Sequence, residues 1–186
     1  RRMSAVSFDI TYTTPRNRLT NAFRLIWAIP HLIIVNVLSR LAQVLALVQW
    51  FIVLFTGKRN RGLWDLGRNC LSWEVRANAY AMMLYDTYPN FGFEKKDEPV
   101  EFGLEWDDSV DRLSVALRII YAIPALFILI FVGIGAFFVA LGTWFAILFT
   151  GNQPRGMFDF LVKVERFGAR LSAYLYLLTD TYPKFE

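Results

Sequence analysis

The feature that most constrains this chain is that it is one unit written twice. Shifting the sequence by 94 residues superposes the halves without a gap and gives 33 identities in 87 aligned pairs. Arg18-Leu19 falls on Arg112-Leu113, Arg24 on Arg118, and Ala28-Ile29-Pro30 on Ala122-Ile123-Pro124. Further on, Leu54-Phe55-Thr56-Gly57 falls on Leu148-Phe149-Thr150-Gly151, and Asp86-Thr87-Tyr88-Pro89-x-Phe91 on Asp180-Thr181-Tyr182-Pro183-x-Phe185. Self-similarity at a fixed period is read before any local pattern, because the copies must share one fold. The expected division is a first repeat over 1–93, a charged linker over 94–99 and a second repeat over 100–186.

Each repeat reads in three parts. The opening alternates strictly, with Val6, Phe8, Ile10 and Tyr12 on one face and Val100, Phe102, Leu104 and Trp106 as their counterparts. Period-two alternation predicts a half-buried strand in each copy. Two strands alone are marginal, so they are expected to pair with each other or with a partner's sheet.

A long apolar run follows. Ile119 to Thr150 contains no Asp, Glu, Lys, Arg or His, and Leu25 to Thr56 is broken only by His31, Asn36, Arg40, Gln43 and Gln49. Both exceed the roughly 18 apolar residues that mark a membrane span. As one helix, about 32 residues would reach about 48 Å, against a hydrocarbon core near 30 Å. Either one long tilted helix or a tight hairpin of two short ones must result. A hairpin, either transmembrane or re-entrant because its arms are short for full spans, is favoured, with its tip at Gly133-Ile134-Gly135 and at Ser39-Arg40-Leu41, because Arg40 in the middle of a single span would be costly. Pro30 and Pro124 then kink or start the descending arm, and Gly57 and Gly151 cap the ascending one.

The third part is amphipathic. Met157, Phe160, Leu161, Val164, Phe167, Leu171, Tyr174, Leu175 and Leu178 keep helical spacing in the second copy, with charged residues elsewhere round the helix. Such a helix suits a membrane interface or the surface of its own hairpin. The terminal Asp-Thr-Tyr-Pro-x-Phe then reads as a helix stop followed by an aromatic foot.

Composition supports a membrane protein: 55% of residues are hydrophobic and only 19% charged, where soluble domains carry about 25%. The net charge of +4 comes from cations clustered at the ends of the apolar runs, the pattern of flanks beside anionic lipid on the cytoplasmic side. No basic stripe or recognition motif points to nucleic acid. A single cysteine, Cys70, excludes an internal disulfide, and no set of Cys and His has metal-ligand spacing. The opening Arg1-Arg2-Met3-Ser4 leads into a polar alternating stretch, so no cleavable signal peptide is expected.

Ile29-Pro30-His31, Trp50-Phe51-x-x-Leu54-Phe55-Thr56-Gly57, Arg61-Gly62-x-x-Asp65 and Asp86-x-Tyr88-Pro89-x-Phe91, with their second-copy equivalents, resemble domain-of-unknown-function family 4389 of bacterial membrane proteins. The resemblance covers nearly the whole chain and implies a membrane location, with no activity attached. The chain departs from the family pattern at Ala125, where the second copy lacks histidine, and at Asn60, where a proline such as Pro154 is usual.

Few residues are candidates for chemistry. His31, the only histidine, could ligate a tetrapyrrole or relay protons, or simply bond a neighbouring helix. Asp65 and Asp159 read as helix-start carboxylates rather than catalytic acids. They stand too far along the helix from Arg76 and Arg170 to pair within one copy. Arg24, Arg61, Arg118 and Arg155 could hold lipid phosphate. Trp50 and Trp144 lie deep for an aromatic belt and are expected to pack between helices or against a partner. No phosphate loop, nucleophile elbow, His-x-x-x-His pair or carboxylate dyad is present, so no enzyme and no soluble small-molecule substrate is expected.

The sequence therefore predicts a mainly α membrane protein of two parallel repeats, related by a pseudo-two-fold axis along the membrane normal. It would lie in the bacterial cytoplasmic membrane with its strands and interfacial helices on the cytoplasmic side. The leading functional expectation is a non-enzymatic accessory or scaffold subunit, with membrane lipid and other integral membrane subunits as partners. Membrane shaping or lipid organisation is the alternative, and pigment or haem binding through His31 a third.

Overall fold

A computed structural model describes residues 6–12, 15–93, 99–106, 110–183 and 185. Most of the expected charged linker, residues 94–98, lies outside them. The first repeat contributes β1 (Val6–Ile10), α1 (Arg18–Ala22), α2 (Arg24–Thr56) and α3 (Arg61–Ala81). The second contributes β2 (Val100–Leu104), α4 (Arg112–Ala116), α5 (Arg118–Thr150) and α6 (Arg155–Leu175). The duplication is thus visible element by element.

The expected hairpin is absent: α2 and α5 are each one continuous helix of 33 residues, about 50 Å long at the standard rise. The reason is a stripe that crosses the expected tip without changing phase. Ala28, His31, Val35, Leu38, Ala42, Gln49 and Val53 are the buried positions of α2 after Arg24, and steps of three and four keep them on one side of a helix. They meet α3, which runs back along α2 and places Cys70 and Leu66 against Leu38 and Ala42. Breaking α2 at Ser39-Arg40-Leu41 would cut that interface in half. Pro30 and Pro124 sit inside the helices rather than at an end.

Gly57 and Gly151 close the long helices as expected, with φ of 72° and 75°. Only glycine takes that left-handed conformation without strain. The turn after Gly57 is tied back: Gln49 of α2 accepts from the Asn60 backbone N–H at 3.0 Å and donates to its carbonyl at 3.2 Å. Asn60 in turn caps α3 by accepting from the Leu63 N–H.

The two strands pair with each other, antiparallel, in the register Val6↔Leu104, Phe8↔Phe102 and Ile10↔Val100. Because the repeat shift takes Val6 to Val100 and Ile10 to Leu104, this pairing is its own image. A pseudo-two-fold axis passes through the sheet between Phe8 and Phe102. The inner face, with Val6, Phe8, Ile10, Val100 and Leu104, is buried, while Ser7, Asp9 and Glu101 face outwards and are exposed.

The strands rest on α6 and α3. On α3, Ser72 and Val75 belong to the side that faces the sheet, and Leu66 and Cys70 to the side that faces α2. At about 100° per residue these sides are nearly opposite. Three layers therefore stack along the axis: the sheet, then α3 with α6, then α2 with α5.

Candidate functional site

Arg24 and Arg118 begin the long helices and are almost fully buried, at 1% and 2% exposure. Arg24 donates to the carbonyls of Tyr80 and Tyr85 at 2.8 and 2.7 Å and to Asp86 Oδ1 at 2.6 Å, with its guanidinium over the Tyr80 ring. Arg118 repeats this on Tyr174, Thr179 and Asp180, at 2.9, 2.6 and 2.6 Å. The Tyr80 and Tyr174 carbonyls belong to the last turns of α3 and α6, where unpaired acceptors and the helix dipole favour a cation, and those of Tyr85 and Thr179 to the turns that follow. The expectation that Arg24 and Arg118 bind headgroup phosphate is thus corrected: both guanidiniums are consumed by the protein.

The aspartates that receive them are also tied to the other repeat, Asp180 directly and Asp86 through Arg16. Asp86 accepts from the Asn17 backbone N–H at 2.8 Å and lies 4.0 Å from Arg16, which also reaches Gln153 of the second repeat at 2.9 Å. Asp180 accepts from the Asp111 N–H and from Arg59 of the first repeat, both at 3.1 Å.

Trp50 and Trp144 are also ties between repeats rather than contacts for a separate partner. The Trp50 indole N–H donates to the Val115 carbonyl of α4, and that of Trp144 to the Asn21 carbonyl of α1, each at 3.0 Å. Asn21 returns a bond to the Trp144 carbonyl. Beyond them the Arg16 N–H donates to the Gly151 carbonyl at 2.7 Å. The start of α2 therefore lies at the end of α5, and the end of α2 at the start of α5. The two long helices run antiparallel, at right angles to the pseudo-two-fold axis.

His31 is buried with both ring nitrogens engaged. Nε2 bonds the Pro89 carbonyl at 2.9 Å, Nδ1 accepts from the Trp73 indole N–H at 3.1 Å, and Phe91 stacks on the ring at 4.2 Å. A haem iron or pigment magnesium would need one of those lone pairs, so the geometry does not fit the tetrapyrrole expectation. The residue instead fastens the aromatic foot to α2. Tyr88 adds a bond from its hydroxyl to the Trp27 carbonyl at 2.8 Å, as Tyr182 does to the Tyr121 carbonyl at 2.9 Å.

Arg61 and Arg155 differ from the buried pair. Their side chains are 57% and 65% exposed, each bonded to the carboxylate one turn on, Asp65 at 3.2 Å and Asp159 at 3.3 Å. These aspartates do not meet Arg76 of α3, which is buried and bonds the carbonyls of Asn90 and Gly92. Arg61 lies over Trp106 and Arg155 over Tyr12, in each case an aromatic of the opposite repeat.

Sequence reasoning missed one cluster near the axis. Glu165 of α6 is pushed up to about 7, chiefly by burial and further by the charge of Glu74 of α3. Glu74 is itself raised by burial, against hydrogen bonds from Ser39 and Tyr176 that favour its charged form. Neither acid recurs in the other copy, where Leu71 and Gly168 stand, so the repeat gave no signal for it. Among the described residues no group of His, Cys, Asp and Glu is placed to hold a metal ion.

The remaining feature is the outward side of α2 and α5. Leu25, Ile33, Val37, Val44 and Phe55 are between 58% and 81% exposed, and Ile119, Phe131, Phe137, Phe138 and Phe149 between 64% and 75%. Both helices are long and apolar enough to span a membrane.

A family model for the domain of unknown function DUF4389 matches residues 18–93 and again residues 112–186. No curated protein and no solved structure matches the chain. With both matches spanning the interlocked helices and feet described above, the chain belongs to the DUF4389 family and carries two tandem copies of its domain.

Proposed function

We propose that this protein is a non-enzymatic scaffold or accessory subunit embedded in the bacterial cytoplasmic membrane, with its sheet and the α3–α6 layer on the cytoplasmic side. One observation carries the reading: α2 and α5 leave large apolar side chains uncovered along their whole length. A monomer in water rarely exposes apolar patches beyond a few hundred Å². The cations at the helix ends, including the exposed Arg61 and Arg155, fit anionic headgroups beside that surface. Lipid organisation is the second reading, favoured by the placement of the uncovered helices together in one outer layer, where lipid alone could cover them.

Purification from native membrane in mild detergent, with mass spectrometry of the associated chains, tests the first reading. Stoichiometric integral subunits are expected. A protein that arrives alone with lipid transfers the proposal to lipid organisation.

A further inference from the structure

We infer that α2 and α5 do not cross the bilayer but lie flat in one leaflet, with the pseudo-two-fold axis along the membrane normal. The inference rests on the membrane reading above and concerns how the same surface meets lipid.

The argument starts from where the polar parts sit along the long helices. The axis relates antiparallel helices, so it meets α2 and α5 at mid-length. The sheet lies on that axis, packed on the middles of α3 and α6, and it turns Ser7, Asp9 and Glu101 outwards. Arg166 bonds the Phe8 carbonyl at 2.9 Å and approaches Asp9 at 3.8 Å in the same region. If α2 and α5 crossed the bilayer, these groups would sit at the depth of its centre, where each charged side chain costs at least about 2.5 kcal/mol and unpaired strand edges do not occur. Arg40, exposed at the middle of α2, would be there too.

Laid flat, the sheet and its charges have no such conflict, and Arg40, which lies on the uncovered side of α2, needs only the length of its own stem to bring its guanidinium back to the headgroups of the same leaflet. The α2–α5 layer enters the acyl region and the sheet, two layers above, faces water. Apolar exposure then explains itself at both ends of the helices as well as the middle: Ile119 is 75% exposed, Phe131 73% and Phe149 71%. A crossing helix of about 50 Å would carry one or both of those ends out of a core near 30 Å. The ends also hold the cations. Arg18 stands against Gly151, and Arg112 against Gly57, so both ends of the layer bring positive charge to the headgroup level of one leaflet. The occupant of the surface is therefore a single anionic leaflet, entered by about 5–10 Å as interfacial helices enter it.

Three single-cysteine variants test this in a Cys70→Ala background: Ile119→Cys, Phe131→Cys and Phe149→Cys. Each carries a fluorophore and is reconstituted in vesicles of two parts phosphatidylcholine to one part phosphatidylglycerol that contain lipids brominated at defined acyl depths. The expected result is the same depth at all three sites, with shallow bromines quenching more than deep ones at each. Quenching by deep bromines strongest at position 131 and weak at 119 and 149 would overturn the flat orientation and leave the membrane reading standing. A folded protein, by its helical circular dichroism, with no quenching at any site would overturn both.

Discussion

The two repeats share a backbone plan but not the chemistry at equivalent places. At the interlock around Asp86 the second cation is Arg16, and its neighbour across the repeats is Gln153. At the equivalent interlock Asp180 takes its second cation from Arg59, the counterpart of Gln153, while the counterpart of Arg16 is Val110. Each junction thus keeps one extra arginine, supplied from opposite sides. Position by position the copies have diverged, yet each half-buried aspartate keeps two arginines beside it. The feet differ likewise: His31 bonds the Pro89 carbonyl of the first and is itself held by Trp73, whereas with Ala125 in its place the second keeps the Tyr182–Tyr121 bond and ring packing between Phe167 and Phe185 at 5.8 Å.

The largest expected effect breaks what the copies share. Arg24→Met or Arg118→Met leaves a carboxylate and two carbonyls without their buried cation, a loss of about 3–5 kcal/mol, read as a lowered midpoint of thermal unfolding in detergent. Arg24→Met should cost more, because Arg59 bonds Asp180 at 3.1 Å while Arg16 stands 4.0 Å from Asp86. Equal losses would show that the second cations contribute nothing.

The next concerns a difference. Glu165, where the first repeat has Leu71, holds its proton to about pH 7 in the fold. An acid raised by folding binds more protons in the native state between its ordinary pKa and the raised one. Stability therefore falls as pH rises from about 4.5 to about 7 and is level above that. Glu165→Gln should flatten this slope to the part that the buried Glu74 contributes and stabilise the protein by up to about 3 kcal/mol above pH 7, measured as unfolding midpoints across that range. An unchanged slope would place the titration elsewhere.

Arg59→Gln should lose about 2 kcal/mol, the worth of a charged hydrogen bond, and the double variant Arg59→Gln with Val110→Arg should recover at least half by rebuilding the first junction in the second. His31→Ala is the smallest, at about 1 kcal/mol, with greater exposure of Trp73 seen in its fluorescence; Ala125 shows that a foot can be held without histidine.

Much of this plan was legible in the sequence. The period-two openings gave the strands, Gly57 and Gly151 gave the helix ends, and spacing gave α3 and α6. The long helices depart from the hairpin expectation because bilayer thickness, which makes a turn at Arg40 attractive, is not the length they match. The contrary signal was present: Ala28 to Val53 keep one helical stripe across that position. In the sequence Arg24 and Arg118 look like headgroup contacts because a cation at the edge of an apolar run normally anchors there. Their partners Asp86 and Asp180 recur at the same offset in both copies, and that joint recurrence was the available clue. Glu165 and the cross-repeat tryptophan bonds carried none, since they exist only once the copies are folded together.

The central claim is that the repeats interlock head to tail, with each long helix ending where the other begins. Distances between spin labels test it most directly, on Leu25→Cys paired with Phe149→Cys and on Leu25→Cys paired with Ile119→Cys, in the Cys70→Ala background. The account predicts a short distance, under about 20 Å, for the first pair and a long one for the second, about 45 Å from the rise over 30 residues of helix. A short distance for 25 with 119 and a long one for 25 with 149 would mean parallel, side-by-side repeats and would contradict it.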